Sequence, residues 1–125
     1  MDIRLKRAYD APARSDGPRI LVDRIWPRGV AKADADIAHW LKGLAPSTEL
    51  RQWFGHDPDK WLAFRERYRQ ELHGEAARAD LDALRALLHE HRRLTLVFAA
   101  RDTEHNNAVA LRQFLQDDEL PGGEV

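Results

Sequence analysis

Leu94-Thr95-Leu96-Val97-Phe98-Ala99-Ala100 is a nearly unbroken apolar run set between Arg92-Arg93 and Arg101-Asp102, and no other stretch restricts the fold as strongly. A strand that alternates apolar and polar residues can leave one face in water, whereas a strand apolar at successive positions needs protein on both faces. The run therefore reads as the centre of a sheet. Arg19-Ile20-Leu21-Val22-Asp23-Arg24-Ile25 has the branched, apolar character of a second buried strand. It should stop where Trp26 meets Pro27, because the residue before proline is pushed to extended geometry and proline donates no ladder hydrogen bond. Within residues 2–9, Ile3 and Leu5 alternate with Arg4 and Lys6, the pattern of a half-buried strand near a sheet edge.

Between and after these runs the apolar spacing turns helical. Ile37, Trp40, Leu41 and Leu44, with Asp34 or Asp36 ahead of them as a cap, predict a short helix that ends before Pro46. Ser47 or Thr48 can cap a second over Glu49–Phe54, closed by Gly55. Asp57-Pro58 opens a third that carries Trp61, Phe64, Tyr68 and Leu72 as far as Gly74, and Ala76–His91 repeats the spacing through Leu81, Leu84 and Leu88. Asn106 or Asn107 caps a last helix bearing Val109, Ala110, Leu111, Phe114 and Leu115.

A chain of 125 residues with 43% hydrophobic side chains suits one domain with its own core. The expected architecture is α/β: one small domain over 1–125, with a short mixed or mostly parallel sheet (strands near 2–9, 19–25 and 94–100) packed by about five helices. Residues 116–125 are expected to form an acidic, mobile tail. Long crossovers join parallel strands, so the ends of 19–25 and 94–100 should share one edge of the sheet. The link after the first strand, about nine residues, is short for a crossover and favours antiparallel pairing there.

The chain has no cysteine, which excludes disulfides, thiolate nucleophiles and cysteine zinc sites and suits a reducing compartment. Met1–Arg7 lacks the apolar core of a signal peptide, and no stretch approaches the ~20 apolar residues of a membrane-spanning helix. A cytoplasmic protein without a membrane partner is expected. The net charge of −1 hides a polarity: residues 1–32 hold eight Lys or Arg against four Asp, and residues 113–125 hold four acids and no base. Sixteen of the twenty basic residues are Arg, whose planar fork grips phosphate or carboxylate bidentately, although a GC-rich genome would raise the Arg count as well.

The predicted sheet edge collects polar residues from both strand ends, and ligands of open α/β sheets bind outside the carboxyl ends of the strands. Asp23-Arg24-Ile25-Trp26-Pro27-Arg28-Gly29 puts two guanidinium groups, a carboxylate and an indole on one turn. Arg24 and Arg28 could clamp an anion while Trp26 stacks on a planar group; the plain alternative has Asp23 paired with an Arg and Trp26 in the core. After the central strand come Arg101, Asp102, His105, Asn106 and Asn107. There the start of a helix favours an anion, with Asp102 and His105 as proton-transfer groups, or else the segment is an ordinary capping loop. Lys42, Ser47, Arg51 and His56 could roof the site as anion contacts, among aromatic residues that core packing explains. No metal is expected, since His89 and His91 point to different helix faces and no His-x-x-x-His pair exists. No cofactor is expected either: the seven glycines are scattered, with no phosphate-cradling loop, and no Gly-x-Ser-x-Gly elbow activates a serine.

Several of these segments recur in one family. Val22-Asp23-Arg24-Ile25-Trp26-Pro27-Arg28-Gly29, Trp40-Leu41-Lys42, Ala45-Pro46-Ser47, Leu50-Arg51-Gln52-Trp53-Phe54, His56-Asp57-Pro58, Phe64-Arg65 with Tyr68 and Glu71-Leu72, and His105-Asn106-Asn107-Ala108 together resemble the YeaO-like family of uncharacterised bacterial proteins over nearly the whole chain. The resemblance implies an α/β domain and a cytoplasmic bacterial protein, and carries no activity with it. Two functional readings follow from the residues. In the first, the strand ends bind a phosphorylated or nucleotide-like small molecule, with acid-base chemistry by Asp23 and Asp102 or His105 if the domain is an enzyme. In the second, the basic N-terminal region is a non-catalytic module for nucleic acid or an acidic protein surface.

Overall fold

The structure is a computed structural model that describes residues 2–119. In chain order the elements are β1 (Asp2–Arg7), β2 (Arg19–Leu21), α1 (Lys32–Ala35), β3 (His39–Trp40), α2 (Thr48–Phe54), α3 (Trp61–Leu72), α4 (Glu75–Glu90), β4 (Arg93–Phe98) and α5 (Asn107–Glu119). The apolar run is the inner strand it was expected to be: the sheet order is β1-β4-β2-β3, and every pair is parallel. Leu94, Leu96 and Phe98 point to one face with Ile3, Ile20 and Val22, where Phe64, Tyr68, Leu84, Leu111 and Leu115 of the helices complete the main core. Leu21 and Val97 point to the opposite face, under a smaller cover made by Ala8, Trp26, Ile37 and Trp40.

Three local expectations give way to the sheet. β1 runs parallel to β4, with Ile3 opposite Leu94 and Leu5 opposite Leu96, rather than antiparallel. The six residues of β1 rise about 20 Å, and the link over residues 8–18 can span about 36 Å when extended, so it returns to the start of β2 with no more than a 3-10 turn at Arg14–Asp16. Instead of continuing to Ile25, β2 leaves the ladder after Val22, whose N–H still bonds Val97 O at 3.1 Å. The helix expected over 37–44 does not form: α1 closes ahead of it at Asp36 with φ 51°, and the segment itself holds β3 and a single 3-10 turn at Lys42–Leu44. The open edge of β2 captures that segment through Ala38 N to Arg19 O and Leu41 N to Leu21 O, both 2.9 Å. Its helix-like spacing arises because Ile37 and Trp40 serve the minor face while Leu41 and Leu44 serve the main core.

The lower end of the minor face holds a charged network. Arg19, 1% exposed, bonds Ala35 O through Nε at 3.0 Å and Asp16 Oδ2 through Nη1 at 2.9 Å. Lys6 Nζ lies 3.1 Å from Asp16 Oδ1, and Thr95 Oγ1 donates to the Asp16 carbonyl at 2.7 Å. The loop over 8–18 is thereby pinned onto β1, β2 and β4. At the other end of the chain α5 runs through Glu119, so residues 116–119 are helical rather than part of a tail; residues 120–125 lie outside the described residues. No helix among the described residues is long and apolar enough to cross a membrane.

Candidate functional site

With all strands parallel, their carboxyl ends open on one side, and there the structure has a cleft of about 770 Å³. Its inner wall is built where β2 and β4 end. Asp23 Oδ2 accepts from Ala99 N–H at 2.9 Å, while the Asn107 amide donates to Asp23 Oδ1 and to Val22 O, both at 3.1 Å. Asp23 thus ties the two strand ends together, and Asn107 fastens the start of α5 to the end of β2. Burial pushes the Asp23 carboxyl above its ordinary range, against the hydrogen bonds from Asn107 and Ala99 and the nearby positive charge of Arg51.

Arg24 and Arg28 from the turn after β2, Arg51 from α2 and Arg101 after β4 all line this cleft, and all four are exposed. Arg24 Nη2 approaches the carbonyls of Ala45 and Pro46 at 3.4 Å each, a loose hold that leaves the guanidinium available. The Arg28 turn closes through Gly29 at φ 79° and is held by Tyr9 Oη, which donates to Arg28 O at 3.1 Å. Trp26 packs its indole edge-on against Trp40 with centroids 5.4 Å apart, donates to Val30 O at 2.7 Å, and also lines the cleft.

The loop after β4 is organised by Asp102. Its Oδ1 accepts from Glu104 and His105 N–H at 2.9 and 3.0 Å, and its Oδ2 sits 3.0 Å from His105 Nδ1. Those two backbone donors, more than the imidazole, hold the Asp102 carboxyl below its ordinary range. His105 is braced edge-on by Trp61 at 5.4 Å, so the ring is oriented with Nδ1 committed to Asp102. Asn106 caps α5, accepting from Val109 N–H at 3.0 Å and donating to Asp102 O at 2.8 Å. Asn106→Ala is expected to lower the unfolding free energy by about 1 kcal/mol, read as a shifted urea midpoint at unchanged slope; an unchanged midpoint would show the cap to be dispensable.

Of the residues proposed from sequence, Asp23, Arg24, Trp26, Arg28, Arg51 and His56 meet Asp102, His105, Asn106 and Asn107 around the one cleft. Lys42 and Ser47 do not join them. Lys42 Nζ lies 4.1 Å from the Trp40 ring centroid, and Ser47 caps α2 through Leu50 N–H while its own hydroxyl and N–H both go to Glu71, at 2.6 and 2.8 Å. Sequence reasoning missed Tyr9, since nothing local tells which way the loop after β1 turns. It also missed Gln52 and the apolar wall of Phe54 and Phe64, whose helical spacing reads only as core. Among the described residues no three His, Asp or Glu side chains are grouped to hold a metal ion.

The family model for the "Inactive DUF488-N3 subclade" matches residues 2–121. The "Uncharacterized protein YeaO" of Escherichia coli is 41% identical over 117 residues, 93% of this chain and 98% of its own length. The "Uncharacterized protein Rv3073c" of Mycobacterium tuberculosis is 41% identical over 113 residues, 90% of this chain and 92% of its own. No solved structure matches the chain.

Proposed function

This chain belongs to the inactive DUF488-N3 subclade and is YeaO-like, and from that premise we propose that its cleft binds, rather than transforms, a phosphorylated or nucleotide-like small molecule. The observation that carries this reading is the ring of four exposed arginines, Arg24, Arg28, Arg51 and Arg101, around one cleft at the carboxyl ends of parallel strands. Guanidinium groups held on different elements grip a phosphate from several sides, and the start of α5 adds a field of the same sign. The polar groups of the lining are ones that can hold an anion without reacting with it: four guanidinium donors and an Asp102–His105 pair whose hydrogen bond orients the ring. The word "inactive" in the family description points the same way.

Inorganic phosphate or a nucleoside monophosphate, at about ten times its dissociation constant, is expected to add about 1.4 kcal/mol and raise Tm by about 5 °C. The Arg24→Gln, Arg28→Gln double variant should lose that shift, and Arg78→Gln, an exposed position on α4 away from the cleft, should keep it. If millimolar phosphates leave the wild-type melting curve unmoved, the small-anion reading fails.

A second reading has its own support, because Ile25 is 65% and Tyr9 48% exposed at the cleft mouth beside Arg24 and Arg28. Single-stranded nucleic acid meets such a mixture of apolar and cationic side chains. Binding of a labelled oligonucleotide, with affinity falling linearly on a log–log salt plot and no response to mononucleotides, would favour it.

A further inference from the structure

The polarity of the cleft runs from hydrogen-bond donors at the mouth to acceptors inside. The mouth carries the four exposed guanidinium groups, which only donate. The inner wall carries Asp23, half-buried, with each carboxylate oxygen holding one partner, Ala99 N–H or the Asn107 amide. A carboxylate has about four acceptor positions, so roughly one on each oxygen stays unused. Among the described residues no cation lies within ion-pair distance of Asp23, in contrast to the buried Asp16, which is met by Lys6 and Arg19. Beside it, Asn107 directs both amide hydrogens to Val22 O and Asp23 Oδ1, which sets the amide orientation and leaves its oxygen as a further acceptor.

A half-buried carboxylate with Arg51 nearby but no cation at ion-pair distance, next to a carbonyl oxygen, is matched by a ligand that brings N–H groups to it. Two adjacent N–H donors on one planar edge meet a carboxylate bidentately, as a guanidinium does. Among the common nucleobases guanine presents that edge, with its ring N1–H and exocyclic amine; adenine offers a donor beside an acceptor, and hypoxanthine keeps only the ring N–H. The aromatic side chains of Trp26, Phe54 and Tyr9 in the same cleft suit a flat ring.

Building on the reading of the cleft as a phosphate-binding site, we propose that Asp23 is its specificity-determining residue and that the cleft selects a phosphorylated planar ring presenting adjacent N–H donors, the pattern of a guanine nucleotide. The arginine mouth takes the phosphate and Asp23 reads the ring.

Calorimetric titration of the full chain with guanosine, inosine and adenosine 5′-monophosphates and with ribose 5-phosphate tests this. Guanosine monophosphate should bind about tenfold or more tightly than the other three, as hydrogen bonds to a charged group imply. Asp23→Asn should bring guanosine monophosphate down to the level of ribose 5-phosphate measured on the same variant. Should Asp23→Asn fail to fold, the wild-type ratio of guanosine to inosine monophosphate decides alone. Nucleotides that all bind within about twofold of ribose 5-phosphate overturn the selection by Asp23 and leave the phosphate reading standing. Absence of binding by every phosphate, ribose 5-phosphate included, overturns both.

Discussion

Asp16→Ala is expected to destabilise the fold by about 3–5 kcal/mol, because it leaves the Arg19 guanidinium charged, buried and without its carboxylate. Arg19 already has one nitrogen, Nη2, buried without a partner, so the site holds no spare acceptor to take over. The carboxylate also accepts from Ala13 N–H at 3.0 Å and from Lys6, so its loss frees the loop over 8–18 as well. The double change Asp16→Ala, Arg19→Met should recover part of the loss, since replacing both charges removes the uncompensated ion. Urea denaturation of the two variants measures the difference; a single variant no less stable than the double would show that the buried charge is not what the pair neutralises.

The same network gives a pH dependence. Burial opposes ionisation of Asp16, yet the Ala13 N–H, Lys6 and Arg19 outweigh it and hold the carboxyl below its ordinary range. A carboxyl depressed by folding contributes its full stability above the unfolded-state pKa of about 4 and loses it as pH falls through the lower folded value. The stability gap between wild type and Asp16→Ala should therefore narrow in acid.

Gly17→Ala, one residue on, is expected to lose about 3 kcal/mol or more for a different reason. Gly17 has φ 64° and ψ −159°, a region nearly reserved for glycine, and an added Cβ would lie 2.3 Å from the Arg93 carbonyl oxygen. That oxygen belongs to the backbone of β4, so relief requires moving the loop off the sheet rather than turning a side chain. A urea midpoint within about 0.2 M of wild type would mean that the loop shifts freely, against the pinning by Asp16 and Thr95.

Both changes lie far from the cleft's arginines, yet the pinned loop leads into Tyr9, which steadies the Arg28 turn. Arg7, at the end of β1, reinforces this by donating to Ala100 O and Ala99 O at 3.0 and 3.3 Å, with its guanidinium 5.0 Å from the Tyr9 ring centroid. The site is thus supported from the minor face of the sheet as well as from the helices.

Residue order alone determined the elements whose signal is local: the apolar run that became β4, the spaced aromatics and leucines of α3 and α4, and an asparagine cap for α5 at Asn106 or Asn107, of which the structure uses Asn106. It also determined that Asp23, Arg24, Trp26 and Arg28 meet Asp102, His105 and Asn107, since a long crossover makes β2 and β4 parallel and puts their ends together. Tertiary structure decided what depends on a distant partner. The side of β4 on which β1 lies, and its direction, go with the loop over 8–18 being tied down by Asp16 and Arg19, a pairing that no local pattern announces. Within 37–44, His39–Trp40 became a strand because the open edge of β2 offered Arg19 O and Leu21 O to the flanking Ala38 and Leu41 N–H groups, a competition that periodicity cannot register. Ser47 was diverted to Glu71 and Lys42 to Trp40 for the same physical reason: a polar group takes the nearest partner the fold presents, and that partner is fixed only when elements far apart in sequence have packed.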